Sequence, residues 1–415
     1  MVKRCCNIDW LEVFCDDMHE CTPEYFTNCG YKVKVREYGT PMYRQMFTLY
    51  QAEKPLYEIR RDPLSKKSLG GIFSDTICHI RFVNRICYAP SCVACLRDFL
   101  IKHGYHYRGI SRIDICNDFV TFDNGTDPQK VIDNFMKNKI SKINQCRVSA
   151  HGKDMFDGRS WNSLKWGSET SAVSTKLYNK TMELDREGHD KYYIRDAWQA
   201  QGLADTQWVS YTDKNGKERH KSVTVKYGTA TDKIIPEEDA QKVNVWRVEF
   251  SIKTEGKRMI NTDSGELLSI ELSAIDTPAR ILFMFHVLSF HYFHFKKLVF
   301  NTNGKPQRKD RCPDIPLFRI SPEEENFHPL RLTDNVEPDR VLKMLARKLD
   351  DIRQADLTEY REEEIYAADL LYKNIMWEAS RHRLSIPPRC RLEDIDTYLA
   401  KMFSPEYLNR IKQYF

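Results

Sequence analysis

The sequence predicts an α+β protein: a central antiparallel sheet backed by helices, followed by a C-terminal helical region. Three observations predict it. Residues 7–13, 31–37, 45–50, 78–84, 109–119 and 244–253 alternate apolar and polar side chains with the two-residue period of strands. Residues 91–104 and 127–140 instead carry apolar side chains at helical spacing, the first closed by Gly104 and the second opened by Asp127-Pro128. Beyond residue 316 the pattern is almost wholly helical, over about 337–354, 359–383 and 391–413.

The remaining elements follow in chain order. Gly39-Thr40-Pro41 reads as a turn between two early strands, and further strands are expected around Val148 and over 175–178. Residues 208–226 form a Lys- and Arg-rich hairpin with Asn215-Gly216 as a primed turn, either a solubilising insertion or a DNA-contacting arm. A long apolar helix spans about 278–300. Its His286, His291 and His294 are interleaved with Phe, Met and Leu, which suits a core helix better than a metal site. After Asn301 the chain becomes basic and turn-rich, with Lys305 to Arg311 either tracking a DNA backbone or serving as a solvated linker. Two domains are therefore expected: residues 1–315 with the hairpin as an insertion, and a helical accessory domain over 316–415.

Composition excludes several classes. The 415 residues carry 64 Lys+Arg against 59 Asp+Glu, a net charge of only +5. The balance is uneven, with 48 basic and 40 acidic residues up to position 315 and 16 against 19 beyond it, which fits a polyanion-binding part joined to a neutral or acidic one. With 41% hydrophobic residues the chain can build cores and is not disordered as a whole. No apolar run approaches the ~20 residues needed to cross a bilayer, and the N-terminus lacks the apolar segment of a secretory signal, so no membrane partner and a cytoplasmic location are expected. Thirteen cysteines without a signal read as reduced thiols. Cys5, Cys6, Cys15, Cys21 and Cys29 cluster, as do Cys87, Cys92 and Cys95, but neither group supplies the two closely spaced ligand pairs of a structural zinc site.

Two strands repeat a pattern of a basic and an acidic residue around one apolar position: Arg112-Ile113-Asp114 and Arg247-Val248-Glu249. Strand alternation puts Arg112, Asp114, Cys116 and Asp118 on one face, and Arg247, Glu249 and Ser251 on one face of the other strand. If the strands are neighbours, Asp114, Asp118 and Glu249 converge with two guanidinium groups. Three carboxylates suit Mg²⁺ or Mn²⁺ held against a phosphodiester. The same spacing also suits two Arg–carboxylate bridges on a sheet face. Nearby, Tyr178 stands between Leu177 and Asn179-Lys180, with Lys176 and Lys180 on its face if the segment is extended. A tyrosine phenolate can attack a polarised phosphate and conserve the bond as a phosphotyrosine, while adjacent lysines stabilise the phenolate and hold DNA phosphate.

Taken in order, Ile8-Asp9-Trp10-Leu11, Ser111 to Asp118, Gly167-Ser168 with Ser171, Leu177-Tyr178-Asn179-Lys180 and Trp246 to Phe250 resemble the replication initiation factor family. That family holds initiators of rolling-circle plasmids and related relaxases of conjugative elements, and the likeness covers roughly residues 7 to 310. The resemblance implies a nickase that cuts one strand of origin DNA, becomes linked to the 5′ phosphate through tyrosine and frees a 3′ hydroxyl. It also implies a degenerate relative of the His-hydrophobic-His endonuclease fold with acidic metal ligands; this chain contains no His-x-His.

On this reading Tyr178 and Lys180 are the catalytic candidates, Asp114, Asp118 and Glu249 the ligands of Mg²⁺ or Mn²⁺, and Arg112, Arg247, Lys165, Ser168 and Lys176 the DNA contacts. Relatives often carry a tyrosine just before Gly-Ser, where this chain has Leu164-Lys165-Trp166, so Tyr178 rests on elimination and local charge. Tyr192 and Tyr193 are the next candidates, and His151 is a lone histidine in a polar segment. Two other readings remain: a non-catalytic origin- or operator-binding protein of the same fold, and a phosphodiesterase with no covalent intermediate. Single-stranded or origin DNA is the expected partner, and recognition of duplex origin DNA, contact with a host helicase and self-association as a homodimer are the alternatives for the C-terminal helices.

Overall fold

The longest alternating segment of the chain builds the centre of the protein. In the computed structural model, which describes residues 3 to 329 except 41, 64–75, 90, 144–147, 156–157, 169–170, 188–190, 254–257, 262, 266 and 303, Tyr105–Phe119 is one continuous strand. It lies inside a ten-stranded sheet. In chain order these strands are β1 (Arg4–Asp17), β2 (Lys32–Val35), β3 (Tyr43–Gln51), β4 (Lys54–Pro63), β5 (Ile77–Phe82), β6 (Tyr105–Phe119), β7 (Val148–Met155), β8 (Gly158–Trp166), β9 (Val173–Asn179) and β10 (Trp246–Lys253). Their spatial order is β2-β3-β4-β5-β1-β6-β10-β9-β8-β7. Strands β1, β6, β10, β9 and β8 pair antiparallel throughout.

One face of this sheet is apolar. Ile8, Leu11, Ile113, Ile115, Phe119, Val248, Phe250, Ile252, Leu177, Leu164 and Trp166 are all buried in one core. Each such aliphatic or aromatic side chain contributes about 1.5–3 kcal/mol when fully withdrawn from water. The largest cover is helix α5 in a series α1 (Cys92–Lys102), α2 (Pro128–Met136), α3 (Lys180–Glu187), α4 (Tyr192–Ala200) and α5 (Pro278–Tyr292). Thr277 caps α5, its hydroxyl accepting from the Arg280 N–H with Pro278 in the first turn. Met284, Phe285, Val287 and Leu288 are buried on it, and the Phe285 ring meets Phe250 at 5.3 Å between centroids.

Several expected boundaries move for one physical reason. The helix opened by Asp127-Pro128 ends at Met136, and the long apolar helix ends at Tyr292, because the chain after each becomes a strand. Ile140–Lys142 pairs with Phe295–Lys297, which also pairs with Asp314–Ile315, so long-range pairing overrides the helical spacing on both sides. Strand β8, too polar to stand out in the sequence, is held between β7 and β9. The hairpin is Ala204–Thr212 with Glu218–Lys226, and its turn is not a two-residue primed one. Only Gly216 has positive φ there (+76°), and the Asp213 carboxylate accepts from the N–H groups of Asn215 and Lys217. The parallel strand Ile235–Pro236 docks on it, making a three-stranded sheet rather than a free arm.

Leu317, Phe318 and Phe327 lie in the main core, so the described residues from 317 to 329 pack with the sheet. The described residues fall almost wholly in one compact unit, Met1–Thr40 with Gln45–Arg61 and Cys78–Leu330. The three C-terminal helices expected from the sequence lie outside the described residues, as do Cys146 and Cys390. The described cysteines are free thiols, and among the described residues no helix is long and apolar enough to cross a membrane.

Candidate active site on the polar face of the sheet

The register of four strands gathers most of the residues singled out above. Asp118, Cys116 and Asp114 of β6 stand opposite Arg247, Glu249 and Ser251 of β10. On the other side of β10, Tyr178 and Lys176 of β9 stand opposite Arg247 and Glu249, and Lys165 and Ser163 of β8 stand opposite Lys176 and Tyr178. Directly opposed residues point to the same side, so Arg112, Asp114, Asp118, Lys165, Lys176, Tyr178, Arg247 and Glu249 share the face away from α5.

Arg247 is the deepest of them, with no solvent exposure. Its Nε and Nη2 donate to the two oxygens of Asp118 at 2.6 and 2.7 Å, Nη1 donates to Asp9 Oδ1 at 2.7 Å, and Nη2 also donates to the Tyr88 hydroxyl at 2.7 Å. Tyr88 in turn donates to Asp9 at 2.7 Å, and Trp198 Nε1 of α4 donates to Asp118 Oδ2 at 2.7 Å. Asp9 reaches this face because β1 has an irregularity between Ile8 and Trp10, an extra residue relative to β6. Burial alone would raise the Asp9 pKa, but Arg247 and then Lys180 overcome it and hold the carboxyl well below its usual range. Burial likewise opposes the Arg247 charge, and Asp118, Cys116, Tyr88 and Asp9 together outweigh it.

A second cluster lies beside the first. Arg112 donates from Nε and Nη2 to Asp114 at 3.0 and 2.6 Å, and the Ser251 hydroxyl donates to Asp114 Oδ1 at 2.6 Å. Trp10 holds Arg112 from behind, with the guanidinium carbons of Arg81 and Arg112 at 3.5 and 4.4 Å from its ring centroid. Glu249 accepts from Lys176 Nζ at 2.7 Å on Oε1 and from the Tyr178 hydroxyl at 2.9 Å on Oε2. Lys180 Nζ lies 3.4 Å from the same phenol oxygen and donates to Glu183 at 2.7 Å, and Lys191 reaches the other Glu183 oxygen at 3.2 Å. Lys180 does so as the first residue of α3, not from an extended strand. Burial, then the Glu249 charge, pushes the Tyr178 pKa well above its usual value. Burial and Glu249 also raise Asp114, although Arg112 pulls the other way.

The three acids are not brought together as one ligand set. Both oxygens of Asp118 are engaged by Arg247 and Trp198, and Asp118 is fully buried. Asp114 and Glu249 are diagonal neighbours across β6 and β10, each with its own cation. Among the described residues no group of three or more His, Cys, Asp and Glu is arranged to hold a metal ion. A preformed three-acid Mg²⁺ or Mn²⁺ centre therefore does not fit this donor set. The paired Arg–carboxylate bridges describe Arg112–Asp114 and Arg247–Asp118 instead.

Ser168 is elsewhere. Gly167 and Ser168 follow β8 at the Val173 end of β9, about five residues or roughly 17 Å of strand from Tyr178. There Ser168 N–H donates to Ser171 Oγ at 2.9 Å. Tyr193 packs edge-on to Tyr88 at 5.1 Å, and Tyr192 is 61% exposed on α4. His291 and His294 do not share a ligand: the first meets the Phe327 carbonyl and the second the Asp314 carboxylate. Sequence reasoning missed Tyr88, Trp198, Glu183 and Lys191 as members of the site. Lys180 and Glu183 are three apart at the start of a helix, a signal that could have found that pair. Nothing local marks Tyr88 or Trp198.

No protein-family model and no curated protein sequence matches this chain. Among solved structures it is similar to a rolling circle replication initiator protein from Geobacillus stearothermophilus, with a TM-score of 0.40 and 12% identity over 75% of this chain and 92% of that one. That is a distant likeness.

Proposed function

We propose that the protein is a rolling-circle replication initiator or relaxase that nicks one strand of origin DNA through a covalent tyrosine intermediate. One observation carries this reading: the Tyr178 phenol is held between a carboxylate that accepts its proton and an ammonium that faces its oxygen. This is the nucleophile–base–orienter arrangement, with Lys176 fixing Glu249 from the other side. In the reaction the phenol oxygen forms a bond to phosphorus, its proton passes to Glu249, and the bond from phosphorus to the 3′ oxygen breaks. That oxygen leaves as a 3′ hydroxyl with a proton from solvent. Lys180 stabilises the negative charge that develops on the phenol oxygen. Arg112, Lys165 and Lys176 supply cations for phosphates along the same face.

Burial that favours the neutral phenol sets the direction of the chemistry. Proton removal has to accompany attack, so Glu249 is a required base and not an accessory. Asp118 supports the fold of this face through Arg247.

The test is reaction of the full chain with an origin oligonucleotide in Mn²⁺ or Mg²⁺. The expected result is a cut strand and a protein–DNA adduct whose attached peptide, read by mass spectrometry, contains Tyr178. Tyr178→Phe should abolish the adduct. An adduct on another tyrosine overturns the nucleophile, and cleavage that survives Tyr178→Phe with no adduct supports the simple phosphodiesterase. A second reading, DNA binding without chemistry, is favoured by the same burial at Tyr178; it predicts origin binding with neither a cut nor an adduct.

A further inference from the structure

A cleft of about 770 Å³ opens where α3 and α4 meet the hairpin sheet. Lys191, Arg195, Lys221 and Lys242 line it, against two acids, Asp185 and Glu237. Glu237 is shared by Lys221 at 2.8 Å and Lys242 at 2.6 Å, and Arg195 meets Asp185 at 3.0 Å, so cations remain in excess on its walls. Arg195 also reaches across the cleft to the Ser222 hydroxyl at 3.3 Å.

One large aromatic of the lining is not packed away, Tyr192 at 61% exposed, and a second, Trp208 at 54% exposed, stands outside the lining on the neighbouring strand. Trp208 is the direct cross-strand neighbour of Ser222 and so shares its side of the hairpin. The cleft also adjoins the Tyr178 cluster. Thr181 in its lining follows Lys180, and Lys191 is joined to Lys180 through Glu183.

We propose that this cleft binds the unpaired DNA strand flanking the phosphate attacked by Tyr178, with Lys191, Lys221 and Lys242 on its phosphates and Tyr192 and Trp208 as stacking platforms for its bases. The proposal rests on the nickase reading for its choice of strand. Basic walls with interleaved aromatics are what sequence-tolerant recognition of a single strand requires, because every base offers a stacking face and every nucleotide a charge. A rigid duplex keeps its bases stacked on one another and cannot use the aromatics.

The experiment measures fluorescence anisotropy of a labelled oligo-dT on the full-length Tyr178→Phe protein, which leaves binding separate from cutting. Tyr192→Ala and Trp208→Ala should each weaken binding about fivefold or more, and Trp208→Tyr should restore most of the loss. Lys221→Ala with Lys242→Ala should weaken it further and flatten its salt dependence. Glu237→Gln should tighten it, an effect of opposite sign that no loss of folding can produce. Unchanged affinity across these variants, or tighter binding of a duplex of equal length, overturns the proposal. Adduct formation by the native protein is scored in parallel: its absence with the binding effects intact removes only the nickase reading, and its presence without them removes only the cleft.

Discussion

Arg247 shows what a single buried charge does to this protein. Its guanidinium satisfies Asp9, Tyr88 and Asp118 at once, and both it and Asp118 are withdrawn from water. Removing one partner from such a set leaves the others buried and uncompensated, which costs about 3–5 kcal/mol. Arg247→Met should therefore lower the unfolding free energy from urea titration by that amount, and Asp118→Asn should also destabilise, without changing the affinity of Mn²⁺ measured by calorimetry. A mainly metal-binding Asp118 would show the reverse.

His103 provides a pH test at the same scale. Burial, then Lys102, lowers its pKa from 6.5 to about 4, in a pocket where Tyr25 and Tyr31 hydroxyls face its two ring nitrogens. A base whose pKa is depressed on folding stabilises the fold above its unfolded value and loses that contribution as pH falls through the folded one. Stability should decline between about pH 6.5 and 4. In His103→Gln, denaturant titrations at the two ends of that window should differ less than in the native protein.

Among the elements, the strands were the most legible. Alternation in 109–119 and 244–253 located the two central strands, and from it followed that Arg112, Asp114 and Asp118 share a face, as do Arg247 and Glu249. What that periodicity does not carry is the geometry of each contact. Asp114 and Asp118 have the same spacing signature, yet one ends beside Arg112 and Ser251 and the other in the Arg247 pair, because Trp198 and Tyr88 arrive from distant elements. The irregularity that turns Asp9 inward is invisible for the same reason: it exists only relative to β6. Strand β8 and the helical start at Lys180 were hidden by polar composition.

The turn after β8 offers a test at this scale. Gly167 has φ of +91°, and an added Cβ would lie 3.2 Å from both Ser174 Cα and the Val173 carbonyl oxygen. Gly167→Ala should cost on the order of 1–3 kcal/mol, read as a lower thermal midpoint, while leaving Tyr178 at the far end of β9 able to form any adduct at permissive temperature.

For the molecule as a whole, a net charge of +5 says little, and the separation of two faces on one sheet says more. One side is sealed by α5; the other concentrates Lys165, Lys176 and Arg112 around buried acids. DNA binding should accordingly be strongly ionic. A plot of log affinity against log salt for single-stranded DNA should have a slope near −2 to −3, the value for three to four phosphates at about −0.7 each. A slope near zero would mean that this face does not meet the backbone.

The Arg247 pentad has a consequence for biosynthesis. Its members stand at positions 9, 88, 118, 198 and 247, and the cation is the last to leave the ribosome. Until then the nascent chain holds Asp118 without the guanidinium that neutralises it in the fully buried site, which disfavours native closure of β6 at that point. Assembly of the central strands is thereby deferred until most of the described chain has emerged, and truncated products ending before Arg247 should be caught as chaperone clients and not as folded fragments.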